Sequence, residues 1–314
     1  MTRKAYLAGL EMESIDNITL NFSDQNIFLL NISLGIIMFG VSLKLTPDDF
    51  KMVLANPLGT FVGVLSQFVV LPILTFIIIW ILEPRPSFAL GMMMVAACPG
   101  GNISNFFSAL AKGNIALSVS LTAISSVLAI FMTPINLAFW AGMYEPTSQL
   151  LTDISLDYWG VFETIVIILG IPLILGMTFR HKFPKLSEKL HPYMHYGSIL
   201  TFAAIVILAF TANIDIFLNY IYLVVFLVFV HNAVALLSGY QLGKLFKLNE
   251  PDRRSLAIET GIQNSGLGLV LIFAFFDGLG GMAIVAAWWG IWHIVAGMSV
   301  SYFWNYRVST VTAK

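Results

Sequence analysis

Nine long apolar runs dominate the chain, and they decide which solvent it can fold in. They lie at about 26–43, 57–82, 87–111, 114–140, 158–180, 193–213, 216–243, 254–276 and 279–306. A helix needs about 20 mostly apolar residues to cross a bilayer, and these runs reach or approach that length. Charged residues make up 11% of the 314, against about 25% in a soluble domain, and the mean hydropathy is +0.86. So few charges cannot cover a globular surface in water. The expectation is an all-α membrane protein with nine transmembrane helices.

The formal net charge of −1 offers no basic patch for phosphates, which argues against a nucleic-acid partner. Cys98 is the one cysteine, so no intramolecular disulfide forms; in its apolar run it reads as a small buried thiol. Residues 1–25 read as a polar tail. Arg3 and Lys4 are followed by Glu11, Glu13, Asp16 and Asp24 without the apolar stretch of a secretory signal. Asn17-Ile18-Thr19 fits a glycosylation sequon, a triplet that is common by chance.

Helix breakers combined with charge or polarity separate most runs: Thr46-Pro47-Asp48-Asp49, Glu83-Pro84-Arg85-Pro86, Lys112-Gly113-Asn114, Glu145-Pro146 and Asn249-Glu250-Pro251-Asp252. With the N-terminus outside, thirteen Lys and Arg fall on inner segments and three, Arg3, Lys4 and Arg85, on outer ones. That is the positive-inside bias. It predicts an outside N-terminus, a cytoplasmic C-terminus and an odd number of spans, in the plasma or inner membrane.

Two runs are wrong for plain lipid-facing helices. Cys98-Pro99-Gly100-Gly101-Asn102-Ile103-Ser104-Asn105 interrupts the third, and Glu259-Thr260-Gly261-Ile262-Gln263-Asn264-Ser265-Gly266 the eighth. Pro99 removes a backbone donor, and glycine lowers helix stability by about 1 kcal/mol. Backbone freed at that depth must line a cavity or be buried in protein. Paired interrupted segments in corresponding halves point to the binding site of a secondary transporter. Tight helix packing on small residues is the alternative, but packing alone does not call for Asn102, Ser104, Asn105, Gln263 and Asn264 together.

Glu259 is the acidic residue placed deep in a span, with no Lys or Arg beside it. A mid-membrane carboxylate costs roughly 2.5–3.5 kcal/mol on insertion scales, so it is either protonated or paired with a cation. Ser104, Asn105, Ser118, Thr122, Gln67 and Gln263 offer neutral oxygens, and Ser118 and Thr122 share one helix face. Such a set suits a hard cation; soft metals would want Cys and His, and a divalent ion more carboxylates. Sodium ranks first and a proton on Glu259 second. Two sodium ions with ionised Glu259 leave the site at +1, which a monoanionic substrate neutralises. Half-helix N-termini near Gly101-Asn102 and Asn264 favour an anionic group. His293, near Trp288, Trp289 and Trp292, reads as a cavity-lining residue, with the tryptophans as interface-belt residues and His231-Asn232 as helix glue.

At these residues the chain resembles the bile acid:sodium symporter family, solute carrier family 10 in animals. Both interrupted segments, the Gly40–Phe50 and Ser66-Gln67-Phe68 stretches, Lys112–Ser118 and Trp292-His293 carry the likeness, which runs from about 34 to 305. The resemblance implies inverted repeats that form a core and a panel. Residues 26–82 and 158–213 would be panel helices, 87–140 and 216–306 core helices with one crossover motif each, and 307–314 a cytoplasmic tail. It implies sodium-driven alternating access by a non-enzyme, with sodium at two sites. A first sodium site would use Ser104, Asn105, Ser118, Thr122 and Glu259. A second would use Gln67, Glu259 and Gln263 with the carbonyls of Thr260 and Ile262. Substrate contacts would include Asn102, Asn264 and His293. The cargo would be an organic anion such as a bile acid, steroid sulfate or pantoate, carried by a monomer. Ten-helix bacterial members have a further helix before Gly40, where this chain has a polar tail, and Ile294 replaces an amide residue that some of them carry. A proton-coupled organic-anion carrier would use the same Glu259 without sodium.

Overall fold

The computed structural model describes residues 15–16, 18–20, 24–43, 56–101, 103–154 and 158–312. Asn17, Asn102 and the Thr46–Asp49 breaker lie outside them. The described residues form helices joined by short turns: α1 (Asp24–Ser42), α2 (Pro57–Leu82), α3 (Pro86–Ala97), α4 (Ser104–Leu110), α5 (Ile115–Met143), α6 (Glu145–Ile154), α7 (158–182), α8 (Pro184–Ala212), α9 (Ile214–Leu245), α10 (Glu250–Gly261), α11 (Ser265–Phe275) and α12 (Gly280–Thr312). Pro57–Leu82, Ile115–Met143, Trp159–Lys182, Ile214–Leu245 and Gly280–Tyr306 are each long and apolar enough to span a bilayer. The third and eighth sequence runs are indeed broken, into α3/α4 and α10/α11. Two elements differ from the sequence reading. α8 starts at Pro184, where proline suits a first helical turn, and runs through Pro192. α6 is a separate short helix after Tyr144.

α3 and α11 form the centre. Every residue of α3 after Pro86 is buried, as is Ser265–Phe273 of α11; a helix that is apolar all round must be enclosed. α12 covers both, α5 covers α3, and α9 packs along α10 and α12. α1, α7 and α8 pack on one another, and α7 also touches α5. α2 packs on α3, α5, α9 and α10, which sets it apart from the sequence grouping of 57–82 with 26–43. The reason lies in its polar stripe: Ser66, Gln67 and Thr75 find their partners on α3, α9 and α10 rather than on α1.

Helices α2 and α7 each contain one π-turn, Ser66–Val70 and Val166–Gly170. Both turns end just before a proline, Pro72 or Pro172. Proline lacks an N–H and its ring crowds the carbonyl four residues back. A widened turn relieves that crowding, and π-turns are frequent at functional sites.

Residues 15, 16 and 18–20, expected to be part of a polar tail, form a strap over the end of the bundle. Ile15 is buried. Thr19 bridges Leu279, Leu20 N–H donates to the Gly278 carbonyl at 2.9 Å, and Gly280 N–H donates to the Ile18 carbonyl at 2.6 Å. Asp16 Oδ1 accepts the Ser87 N–H at 2.9 Å at the start of α3, with Arg85 at 3.8 Å. Asp16 thus caps a helix that it does not belong to, while its neighbours hold the α11–α12 turn. A lost cap costs about 0.5–2 kcal/mol, so Asp16→Ala should lower unfolding stability by about 1 kcal/mol, read by thermal unfolding in detergent.

Candidate ion and substrate site

The two helix breaks cross antiparallel at the centre of the bundle. Gly101 N–H donates to the Ile262 carbonyl at 2.7 Å, Asn264 N–H donates to the Pro99 carbonyl at 2.9 Å, and Gly100 pairs with Gln263 as an isolated bridge. Each break therefore satisfies the other's freed backbone. The carbonyls left at the ends of α3 and α10 take side-chain donors. Thr133 Oγ1 donates to Ala97 at 2.8 Å, Gln67 Nε2 to Cys98 at 2.8 Å, Gln263 Nε2 to Thr260 at 2.7 Å, and Asn232 Nδ2 to Gly261 at 2.7 Å. Every one of these groups lies too deep for water to replace the bond. An orphaned buried acceptor costs about 1–3 kcal/mol. Thr133→Val keeps the shape and removes the donor, so it should lower unfolding stability by about that amount in a thermal melt.

Glu259 sits beside this crossing, in the last turn of α10, with 4% of its surface exposed. Ser104 Oγ donates to its Oε2 at 2.6 Å and Ser118 Oγ at 3.2 Å, while Thr122 Oγ1 donates to Oε1 at 2.7 Å. Ser108 Oγ stands behind Ser118 at 3.0 Å, and Asn105 Oδ1 lies 3.4 Å from Thr122 Oγ1. No ion pair reaches Glu259 among the described residues. A Cβ on Gly100 would lie 2.6 Å from Glu259 Oε1, so only glycine lets the backbone pass this close.

A second polar group adjoins it. Gln67 and Gln263 exchange amide hydrogen bonds at 2.8 and 3.2 Å, and Ser66 and Thr260 share a hydroxyl bond at 2.8 Å. Gln67 lies in the π-turn of α2, which aims it at the break. The structure thus gathers Ser104, Asn105, Ser118, Thr122 and Glu259 in one group, and Gln67, Gln263 and the Thr260 carbonyl in its neighbour. The Ile262 carbonyl lies within the crossing itself. Asn264 Oδ1 accepts the Leu267 N–H at 3.1 Å and so caps α11. His293 is buried on α12, and among the described residues no hydrogen bond joins it to the Glu259 group.

A family model described as Sodium Bile acid symporter family matches residues 31–220. The chain belongs to that family. It is a membrane transporter and not an enzyme. It is 33% identical over 294 residues to "Uncharacterized sodium-dependent transporter YocS" of Bacillus subtilis (strain 168), covering 92% of this chain and 88% of that one. To "Probable sodium/metabolite cotransporter BASS1, chloroplastic" of Arabidopsis thaliana it is 31% identical, covering 87% of this chain and 66% of that one. To the "P3 protein" of Mus musculus it is 30% identical, covering 74% and 48%.

His231-Asn232 does join helices, as read from the sequence, but its partners were not legible there. Asn232, taken for helix glue, holds the Gly261 carbonyl at the second break. Its neighbour His231 is fully buried, with Nε2 2.7 Å from Thr75 Oγ1. Thr75 Oγ1 also bonds the Leu71 carbonyl, at 2.8 Å. Trp289, expected in an interface belt, is fully buried and stands edge-on to His231 at 4.8 Å between ring centroids. Lone polar residues in separate apolar runs give no sequence signal that they meet.

Proposed function

We propose that this chain is a sodium-coupled symporter that moves a small or amphipathic organic anion inward by alternating access, two sodium ions to one substrate. One observation carries the reading: a buried carboxylate, Glu259, stands among three hydroxyl groups at the crossing of two broken helices, with no protein cation beside it among the described residues. Such a charge is stable at mid-membrane only with a compensating positive charge. Hydroxyl, amide and carbonyl oxygens around one carboxylate suit an alkali cation in size and hardness. The relatives named as sodium-dependent transporter and probable sodium/metabolite cotransporter support the choice of ion.

Ser104, Asn105, Ser118, Thr122 and Glu259 would hold the first ion. Gln67, Gln263, Glu259 and the Thr260 and Ile262 carbonyls would hold the second. The anion, such as a bile acid, a steroid sulfate or pantoate, would sit toward the break with Asn102, Asn264 and His293. The chain would act as a monomer in the cell membrane, spanning it nine times with its N-terminus outside. α1, α7 and α8 would form the panel against which the broken-helix bundle moves.

The test is thermal unfolding of the purified protein in sodium or potassium chloride, with bile acids, steroid sulfates, pantoate and 2-oxoacids added. A bound ligand stabilises by mass action. Sodium should raise the midpoint, and a true substrate should raise it further when sodium is present. Stabilisation by an anion to the same degree in potassium would favour proton coupling instead. For the stoichiometry, uptake of a monoanion should carry one net positive charge inward; electroneutral uptake would contradict it.

A further inference from the structure

Three asparagines far apart in sequence converge on one buried carboxylate below the candidate ion site. Asp252 is 3% exposed. Asn114 Nδ2 donates to its Oδ1 at 2.7 Å, while Asn56 and Asn249 Nδ2 each donate to its Oδ2 at 3.1 Å. The same asparagines cap three helices through their side-chain oxygens. Asn56 Oδ1 accepts Gly59 N–H at 3.0 Å at the start of α2. Asn114 Oδ1 accepts Leu117 N–H at 3.1 Å at the start of α5. Asn249 Oδ1 accepts the N–H of Asp252 itself at 2.9 Å at the start of α10. Backbone bonds reinforce the knot, since Asn114 N–H donates to Pro251 O at 3.1 Å and Ser255 Oγ donates to Asn114 O at 2.9 Å.

The three helices tied here carry Gln67, Ser118, Thr122, Glu259 and Thr260 of the proposed sodium ligands, while Ser104 and Asn105 lie on α4. Gln67 follows Asn56 on α2, Ser118 and Thr122 follow Asn114 on α5 by one and two turns, and Glu259 follows Asp252 on α10. Seven residues of helix place Glu259 about 10 Å above Asp252. No salt bridge reaches Asp252 among the described residues. Its charge is instead met by three amide donors and by the positive ends of three helix dipoles. A rigid helix carries its axial position upward, so the register set at this collar is the register of the ligands.

We propose that Asp252 is a positioning residue for sodium: through the collar of Asn56, Asn114 and Asn249 it fixes the relative axial register of α2, α5 and α10, and with it the spacing of the ion ligands. The inference rests on the sodium-coupled reading above. It differs from a general stabilising role because it predicts an effect on ion affinity. The collar acts on the spacing of the ligands and not by a side-chain bond to them, so the expected loss is at the low end of the roughly 10–100-fold seen when an outer partner of a metal ligand is removed.

The experiment is a sodium titration at constant ionic strength against potassium, following the thermal midpoint of the full-length purified protein. It uses Asp252→Asn, Asn56→Ser and Asn114→Ser. Serine keeps the helix cap but lacks the amide donor, so it cuts the tie to Asp252 while the helix start stays intact. Each variant should need about 10-fold more sodium for half its maximal shift, and the serine variants, which take one donor from a buried carboxylate, should also melt somewhat below wild type in potassium alone. Should Asp252→Asn fail to fold, the serine pair still decides. Sodium half-saturation equal to wild type, whatever the midpoint in potassium, would overturn the proposal and leave the collar a structural knot. A wild-type protein indifferent to sodium would overturn both this inference and the sodium-coupled reading beneath it.

Discussion

Glu259→Gln should abolish sodium-dependent uptake while the protein inserts and folds normally. Glutamine keeps the shape of the side chain and can still bond Ser104 and Thr122, but it brings no charge to a cation. Interactions that involve a charged group contribute about 1.5–3 kcal/mol, so sodium affinity should fall by roughly 10- to 100-fold or more. The sign of the stability change separates this from misfolding. Removing one member of a buried charge pair destabilises strongly only when the other remains buried, and in potassium no sodium is left behind. The variant should therefore melt in potassium at the wild-type temperature or above it. A midpoint well below wild type in potassium would show that the carboxylate serves the fold and not the ion. Uptake at the wild-type sodium dependence would refute its assigned role.

The glycine pair at the first break should give two separable losses. A Cβ on Gly100 would meet Glu259 Oε1 at 2.6 Å and its Cδ at 3.1 Å. Those atoms end a side chain, so Gly100→Ala can be accommodated only if the carboxylate leaves Ser104 and Thr122. Folding should survive and the sodium-dependent shift should be lost. A Cβ on Gly101 would meet the Gln263 carbonyl oxygen at 2.9 Å and its carbon at 3.2 Å. Those are backbone atoms held by the crossing, and they cannot yield without breaking the Gly101–Ile262 and Pro99–Asn264 bonds. Gly101→Ala should therefore reduce stability itself, by about 1–3 kcal/mol for each buried bond lost. Thermal unfolding of the two variants in sodium and potassium distinguishes the outcomes. Equal behaviour of both variants would contradict the geometry proposed for this break.

Much of this architecture is legible in the residues because lipid makes local errors conspicuous. Pro99, Gly100 and Gly101 inside an apolar run, with Asn105 and Ser104 close by, announce a break because no single uninterrupted helix would tolerate them there. The second break is announced by Gly261, Gln263 and Asn264 with Glu259 behind them. The helices follow from run lengths, and most breakers stand between them. What the sequence hides is pairing across distance. Nothing in Asn56, Asn114 and Asn249 says that their amides meet at Asp252, since each is an ordinary helix cap when viewed alone. The strap of residues 15, 16 and 18–20 acts largely through backbone groups, which carry no side-chain pattern. α2 resembles any apolar span until Ser66, Gln67 and Thr75 are seen to face α3, α9 and α10, which is why its grouping with 26–43 did not match its packing. The π-turn that aims Gln67 had one readable cue, Pro72, whose crowding of the preceding turn is also present at Pro172.

Infrared difference spectroscopy of the purified protein, sodium minus potassium at fixed pH, reads the state of Glu259 itself. Sodium should raise or shift the antisymmetric carboxylate stretch of an ionised side chain, and Glu259→Gln should remove this signal. No sodium-minus-potassium carboxylate signal, together with a protonated-carboxyl carbonyl band in the wild-type-minus-Glu259→Gln difference that is the same in both salts, would show that a proton, not sodium, neutralises the buried charge.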